Sequence, residues 1–143
     1  EDFEYTPVVF SSNQTVDGKR KEIYHTNVMM CLAETFAIVC LDSIDDKRER
    51  KNLLKNLKED GKQIIVITEE QVNNFAGNML QVRGLDDEMF LVMSQAAYDS
   101  LTKQQIGQIH KHTQIISSSL DTIEACGGGS VRCMMAEVFL PKA

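Results

Sequence analysis

The sequence predicts an α/β fold built from a repeated strand–turn–strand–helix–strand unit. Short apolar runs of strand length alternate with segments whose apolar residues have helical spacing. Runs that begin at Asn27 and Asn78 start corresponding units, so the copies are 51 residues apart (78 − 27 = 51). A period of this size is typical of units that bury their apolar faces against a neighbour. We therefore expect successive units to pack on one another.

The first unit contains three predicted strands and one helix. Residues 28–32 and 36–41 are apolar and predict two strands, and the β-branched run 64–67 predicts the third. Between the second and third strands, leucines at helical spacing follow the acidic pair 45–46. Gly61 is suited to end that helix.

The second unit repeats the same order. Residues 78–82 and 90–93 predict strands, and a further strand begins at Ile115. Between the last two of these strands, Ser94 and Thr102 are typical N-terminal caps of helical segments. The pattern therefore predicts a second copy of the same α/β unit.

Four other segments complete the prediction. Residues 8–10 predict a short strand, and Asp17-Gly18 is a strong turn signal. Residues 68–71 have the form of a capping box that opens a short helix. A helical turn is expected before Gly127, and residues 131–140 predict a strand that belongs to a third, incomplete copy.

Composition limits the classes of partner. The chain has 143 residues, 43% of them hydrophobic, and a formal net charge of −6. An acidic chain without a long apolar run predicts neither nucleic acid nor membrane as a partner. The spacing of Cys31, Cys40, Cys126 and Cys133 matches no zinc pattern, which favours a reduced, cytoplasmic protein. The start at Glu1 favours a piece cut from a longer protein.

The segment most informative about chemistry is 127–133, Gly-Gly-Gly-Ser-Val-Arg-Cys. Glycines let the backbone approach a ligand closely, and Cys133 beside Arg132 is a candidate thiolate nucleophile. The alternative is a buried cysteine in an apolar strand. Three glycines favour the nucleophile, because a core strand rarely needs them.

Two further positions carry candidate polar groups. At a strand start, His25 and Asn27 would point to the same face and suit an acid/base group with a substrate-orienting amide. The alternative is a polar strand cap. Asn78, next to Gly77, either contacts a substrate or satisfies backbone groups where its strand begins. The residues alone leave these alternatives open.

A metal site has weak support in the sequence. His110 and His112 lie near the end of a predicted helix, where cations interact favourably with the helix dipole. A metal there would need further ligands such as Cys126 and Cys133, and the spacing indicates none. We therefore predict no metal and no cofactor.

Three segments resemble the amidinotransferase and guanidine-modifying superfamily, also called penteins. They are residues 24–30 (YHTNVMM), 75–80 (FAGNML) and 127–134 (GGGSVRCM). The superfamily includes arginine deiminase, dimethylarginine dimethylaminohydrolase and glycine amidinotransferase. The resemblance runs from about residue 7 to residue 141. It is greatest to the bacterial arginine-deiminase-related branch, which includes citrulline hydrolases.

The resemblance implies a five-bladed α/β propeller of ββαβ units. Residues 1–143 would form about two and a half blades, the C-terminal part of a single domain whose N-terminal half is absent. Cys133 would be the nucleophile and His25 the general acid/base. The expected substrate-binding residues are Asn27, Asn78, Gly128, Gly129 and Arg132.

The implied reaction is hydrolysis of a C–N bond in a small guanidino or ureido compound through a covalent cysteine intermediate. Transfer of an amidino group to an amine is the alternative reaction. A non-catalytic interaction domain that keeps the fold is the alternative of a different class.

Asn27 departs from the His-x-Asp pattern of many family members. An uncharged amide both donates and accepts hydrogen bonds, which suits a neutral ureido group such as that of citrulline. The family's acidic substrate ligands come from the N-terminal half. The isolated chain is therefore expected to be nearly inactive, and to associate through its open edges with that half or with itself.

Overall fold

The central strand of the first ββαβ unit is paired on both of its sides. In the computed structural model, which describes residues 6–137, β4 (Phe36–Val39) pairs antiparallel with β3 (Met30–Leu32) and parallel with β5 (Gln63–Val66). Helix α1 (Lys47–Glu59) makes the crossover that a parallel pair requires. The predicted helix and three strands of this unit are confirmed, although the first strand is shorter than predicted.

Helix α1 begins and ends where its sequence dictates. The Asp46 carboxylate accepts hydrogen bonds from the backbone N–H groups of Arg48 (2.6 Å) and Glu49 (3.1 Å) and so caps the first turn. Gly61 follows the helix with a φ of +72°, a conformation that favours glycine. Leu53 and Leu57 are buried and fix the helix on the sheet.

The second unit has the same topology as the first. Strand β7 (Met89–Ser94) is central, with β6 (Leu80–Arg83) antiparallel and β8 (Gln114–Ser118) parallel to it. Helices α3 (Gln95–Ser100) and α4 (Lys103–Ile109) form the crossover. The repeat predicted from the sequence is confirmed as two ββαβ units among residues 6–137.

Paired capping boxes join the two units. Thr68 caps α2 (Glu69–Asn73) and Thr102 caps α4, and each box is completed by a glutamine at its third position. The amides of these residues, Gln71 and Gln105, exchange hydrogen bonds of 2.8 and 3.0 Å. Two local helix-start signals therefore also form a contact between the units.

One hydrophobic core spans both units. Phe36 and Ile38 of β4 and Leu91 and Met93 of β7 are fully buried in it. At the boundary, the two ring nitrogens of His112 are hydrogen-bonded to Thr35 Oγ1 and Gln63 Oε1, both at 2.8 Å. Shared burial and this polar bridge hold the two sheets together.

A hairpin precedes the first unit. Strands β1 (Asn13–Val16) and β2 (Lys19–Glu22) pair antiparallel around the turn Asp17-Gly18, where both residues have positive φ. The turn prediction is confirmed, whereas the predicted strand at 8–10 is wrong, because those residues form no strand pairing. Arg20 forms ion pairs with Asp45 (2.6 Å) and with Glu69, which fasten the hairpin to the first unit.

Two predicted strands near the site have different structures. A 3₁₀ helix occupies Thr26–Val28, so the strand predicted from residue 28 begins only at Met30. The segment predicted as strand 131–140 instead opens with helix α6 (Val131–Met134), and residues 138–140 lie outside the described residues. The Cys133 N–H donates to Ser130 O (3.1 Å) and so closes a turn that an extended strand would not make.

Within residues 6–137, no strand follows the three glycines at 127–129. The predicted helical turn before Gly127 is confirmed as α5 (Asp121–Gly127). The third copy of the unit therefore stays a prediction. Within residues 6–137, no helix has both the length and the apolar character needed to cross a bilayer.

Candidate functional site

A cleft of about 220 Å³ brings together six of the seven residues that the sequence predicts for the site. One wall comes from the 3₁₀ turn ahead of β3, a second from Asn78, two residues before β6, and a third from the loop between α5 and α6. The predicted residues that line it are His25, Asn27, Asn78, Gly128, Gly129 and Cys133.

Cys133 is the third residue of α6, and its side chain is exposed to the cleft. Its Sγ accepts a hydrogen bond from Asn78 Nδ2 at 3.3 Å. Cys31 and Cys40 are buried, and burial raises the pKa of the Cys31 thiol to about 12. Cys133 and Cys126 are therefore the thiols available to a reagent in solution.

The three glycines before Cys133 have different roles. Gly128 ends α5 with a φ of +64°, a conformation that favours glycine. A Cβ on Gly129 would lie 3.2 Å from both Cβ and Sγ of Cys133. Gly127 has open space around its Cα. Glycine is thus favoured at position 128 by its backbone conformation and at position 129 by the close approach of Cys133.

Ser130 anchors the loop that presents Cys133. Its side chain is fully buried, and its hydroxyl donates to the Glu124 carboxylate at 2.6 Å. This bond ties α5 to the start of α6. The loop is therefore held from both sides of its glycines.

His25 lies immediately before the 3₁₀ turn Thr26–Val28, where its extended backbone directs an exposed imidazole to the cleft. Its ring packs edge-to-face with the Tyr24 ring, with centroids 4.9 Å apart. The predicted alternation of His25 and Asn27 along a strand is wrong, yet both residues line the cleft because a 3₁₀ turn is compact.

Asn27 contributes two oxygens to this region. Its backbone carbonyl accepts from Asn78 Nδ2 at 3.2 Å. Its side-chain Oδ1 is buried and has no hydrogen-bond partner among the described residues. An unpaired buried acceptor costs free energy, which makes it a position where a donor would be favoured.

Arg132 is the predicted site residue that does not line the cleft. Its backbone N–H donates to Asn78 Oδ1 at 2.9 Å, whereas its guanidinium donates to Met135 O (3.1 Å) and pairs with Glu137 (3.3 Å). The backbone of Arg132 thus belongs to the site more directly than its charge does.

The remaining walls come from residues that the sequence analysis did not single out. Gln14, Ile23 and Tyr24 belong to the hairpin and its exit, and Val72, Asn73 and Phe75 to α2 and the turn after it. Tyr24 and Phe75 stand within the family-like segments, a signal that could have found them. Among the described residues that line the cleft, none is Asp, Glu, Lys or Arg.

The metal alternative finds no ligand set in residues 6–137. No group of three or more His, Cys, Asp or Glu side chains that could hold a metal occurs there. His112 uses both ring nitrogens in the boundary between the units. His110 is exposed at the end of α4.

Residues 1–140 match the family model of eukaryotic N,N-dimethylarginine dimethylhydrolases. The chain belongs to this family. The predicted membership of the guanidine-modifying superfamily is therefore confirmed. The narrower resemblance to a bacterial citrulline-hydrolase branch stays a prediction.

The fold is similar to that of a solved structure, the apo form of ArgZ, an arginine dihydrolase from the ornithine–ammonia cycle in cyanobacteria. The TM-score is 0.62 at 17% sequence identity, over 82% of this chain and 17% of that chain. The chain thus spans a minor part of that structure's length. None of the curated proteins matches the sequence.

Proposed function

We propose that the chain belongs to a hydrolase of small guanidino or ureido compounds in which Cys133 is the nucleophile and His25 the general acid/base. The observation that carries the proposal is that both side chains line one cleft in a chain of the dimethylarginine dimethylhydrolase family. The cleft, at about 220 Å³, is smaller than a typical ligand pocket. Its size suits the head group of such a compound.

The reaction follows from the two side chains. The Cys133 thiolate attacks the central carbon of the head group, and the resulting tetrahedral adduct collapses as His25 gives a proton to the leaving nitrogen. Ammonia or an amine departs, and a thio-intermediate on Sγ remains. His25 then takes a proton from water as the water attacks that carbon, and the C–S bond breaks to restore the thiolate.

Charge distinguishes two classes of substrate. A guanidinium is cationic, and moving a cation out of water without a partner charge is costly. The described lining of the cleft supplies no carboxylate, and Asn27 is uncharged. A neutral ureido head group fits this lining directly, whereas a guanidinium needs an acidic group from elsewhere in the protein. Of the two classes of substrate, we therefore propose a ureido compound such as citrulline.

The same lining supports low activity for the 143-residue chain by itself. A head group held only by Asn27 and the cleft walls would be poorly oriented, and orientation supplies a large part of enzymatic rate enhancement. Association with a further part of the protein, or with a second copy, remains a proposal. Sedimentation of the chain across a concentration series tests the second of these.

Labelling with two small electrophiles tests the proposal without needing turnover. Chloroacetamidine is cationic and chloroacetamide is its neutral counterpart, and each alkylates a reactive thiol. We expect Cys133 to react faster than Cys126 with chloroacetamide, and citrulline to protect only Cys133. Equal rates at the two exposed thiols, without protection, would favour the non-catalytic interaction domain.

Turnover separates the substrates and the reaction types. Arginine, dimethylarginine and citrulline are offered to the chain and products are identified with and without an acceptor amine. Cys133→Ser should abolish any turnover, and Cys126→Ser is the matched control that should retain it. A product that contains the acceptor amine would identify a transferase, and a clear preference for arginine would contradict the ureido assignment.

A further inference from the structure

Asn78 stands at the junction of three segments of the site. It lies just ahead of β6 and is only 4% exposed, and both Nδ2 and Oδ1 of its side-chain amide form hydrogen bonds. Its Nδ2 donates to Asn27 O (3.2 Å) and to Cys133 Sγ (3.3 Å). Its Oδ1 accepts from the Arg132 N–H (2.9 Å).

The partners fix which way this amide points. The Asn27 carbonyl can only accept, and the Arg132 N–H can only donate. A flipped amide would set oxygen against oxygen and N–H against N–H. The group that faces Cys133 Sγ is therefore an N–H donor.

We propose that Asn78 is the positioning residue for the nucleophile, holding Cys133 Sγ at the cleft through its Nδ2 and the α6 backbone through its Oδ1. The proposal rests on the proposed role of Cys133. A hydrogen bond donated to sulfur favours the thiolate, because bonds to a charged acceptor are stronger than bonds to a neutral one. Asn78 thereby acts on the reaction through Cys133 and not through the substrate.

The backbone around Asn78 is arranged to bring it there. A Cβ on Gly77 would lie 2.3 Å from the Val28 carbonyl oxygen, so glycine is required for the chain ahead of β6 to reach the chain ahead of β3. Phe75 has a positive φ of 63°, and its carbonyl accepts from the Asn78 N–H at 2.9 Å. This independent constraint places the Asn78 amide against Asn27.

The test is the pH dependence of iodoacetamide labelling at individual cysteines, resolved by peptide mass spectrometry on the full chain. In Asn78→Ala, we expect the labelling rate of Cys133 at neutral pH to fall about tenfold, with a smaller loss at alkaline pH. Exposed Cys126 is the internal reference and should not change. Unchanged pH profiles at both thiols would overturn the proposal.

Two variants separate positioning from folding. Asn78→Asp keeps the shape and the acceptor for Arg132 but loses the donor, so it should lower Cys133 labelling at least as much as Asn78→Ala. Asn74→Ala, an exposed asparagine outside the cleft whose amide donates to Glu70 O, is the matched control. Buried Cys31 should remain unlabelled throughout. Its exposure in both Asn78 variants would mark Asn78 as purely structural and reject the proposal.

The outcomes also separate this proposal from the proposed function. Wild-type labelling tests the nucleophile: Cys133 reacting no faster than Cys126 would contradict the function whatever Asn78 does. The change between wild type and the Asn78 variants tests positioning. A fast Cys133 that keeps its pH profile without Asn78 would leave the proposed function standing and overturn only the role of Asn78.

Discussion

Each ββαβ unit has an asparagine just ahead of its first strand, Asn27 before β3 and Asn78 before β6, and the two are used in different ways. In the second unit, Asn78 is buried and its amide bonds to three different residues. In the first unit, Asn27 lines the cleft, and its side-chain Oδ1 is buried without a partner among the described residues. The asparagine ahead of the first strand is thus a fixed support in the second unit and a buried, unpaired acceptor in the first.

The surroundings of the units explain this division. The first unit is contacted on one side by the hairpin, through Arg20, and on the other by the second unit, through His112. Its central strand β4 is buried at every residue, whereas half of the residues in β7, the central strand of the second unit, are only half-buried. The site lies ahead of the first strands, where the two units meet, so each unit can supply a different part.

The largest effect should come from the backbone contact between the units at Gly77. Gly77→Ala forces a Cβ against the Val28 carbonyl, and we expect a loss of about 3 kcal/mol in the free energy of unfolding, as for severe overpacking. Gly107→Ala, inside α4 with open space around it, is the control and should stabilise by up to ~1 kcal/mol. Urea titrations measure the free energy of unfolding of both variants. Equal effects would show that the close approach of Gly77 to Val28 does not require glycine.

The two asparagines themselves give the next effect. Asn78→Ala leaves the Arg132 N–H and the Asn27 carbonyl unpaired, and should cost about 2 kcal/mol of unfolding free energy. Asn27→Ala removes an oxygen that is already unpaired and should change stability by less than ~0.5 kcal/mol. Similar losses in the two variants would show that the units use this position alike.

The glycines of the third wall should give a smaller, local effect. Gly129→Ala brings a methyl to 3.2 Å from Cys133 Sγ, and we expect alkylation of Cys133 to slow by a few-fold without a matching loss of stability. Gly127→Ala has space and should leave the alkylation rate unchanged. The two alkylation rates, measured side by side on Cys133, test whether Gly129 is the glycine that leaves room for the Cys133 side chain. A slower rate in both variants would contradict it.

The smallest effect concerns the hairpin on the other side of the first unit. Hydrogen bonds from Arg20 hold the pKa of Asp45 below its ordinary value of 3.8, and Arg20 with Thr15 lowers that of Glu69 below 4.5 despite opposing burial. Stabilisation by these carboxylates is therefore present above their ordinary values and lost as pH falls through the lowered ones. Because Asp45 and Arg20 are exposed to solvent and Glu69 is only half-buried, the effect on overall stability is small.

Hydrogen exchange of the hairpin amides measures that effect. Protection of β1 and β2 should fall selectively on acidification below the ordinary carboxyl range, while β4 stays protected. In Arg20→Gln the hairpin should already be poorly protected and its pH dependence lost. If protection of the wild-type hairpin amides does not change with pH, the ion pairs of Arg20 do not hold the hairpin in place.

The sequence predicted most of the fold because its signals are local. The capping boxes at Thr68 and Thr102, the Asp17-Gly18 turn and the 51-residue repeat each depend on neighbouring residues, and each is present in the structure. The helix at Val131–Met134 was missed because an apolar run suits a strand equally well. A distant amide, that of Asn78, binds the Arg132 N–H where the run begins.

The sequence predicted which residues form the site better than it predicted the contacts between them. Six of the seven predicted residues line one cleft, since the family-like segments carry them. The contact from Asn78 to Cys133 joins positions 55 residues apart, and no local pattern contains it. The separation of the Arg132 charge from the cleft likewise depends on its local ion pair with Glu137, just after α6, the helix that the strand prediction missed.

The central claim is that Cys133 is the nucleophile of this cleft. Its most direct test is the site-resolved rate of chloroacetamide labelling at Cys133 and Cys126, with and without citrulline. The account predicts that Cys133 reacts faster and that citrulline slows Cys133 alone. Equal rates at the two cysteines, unaffected by citrulline, would contradict it.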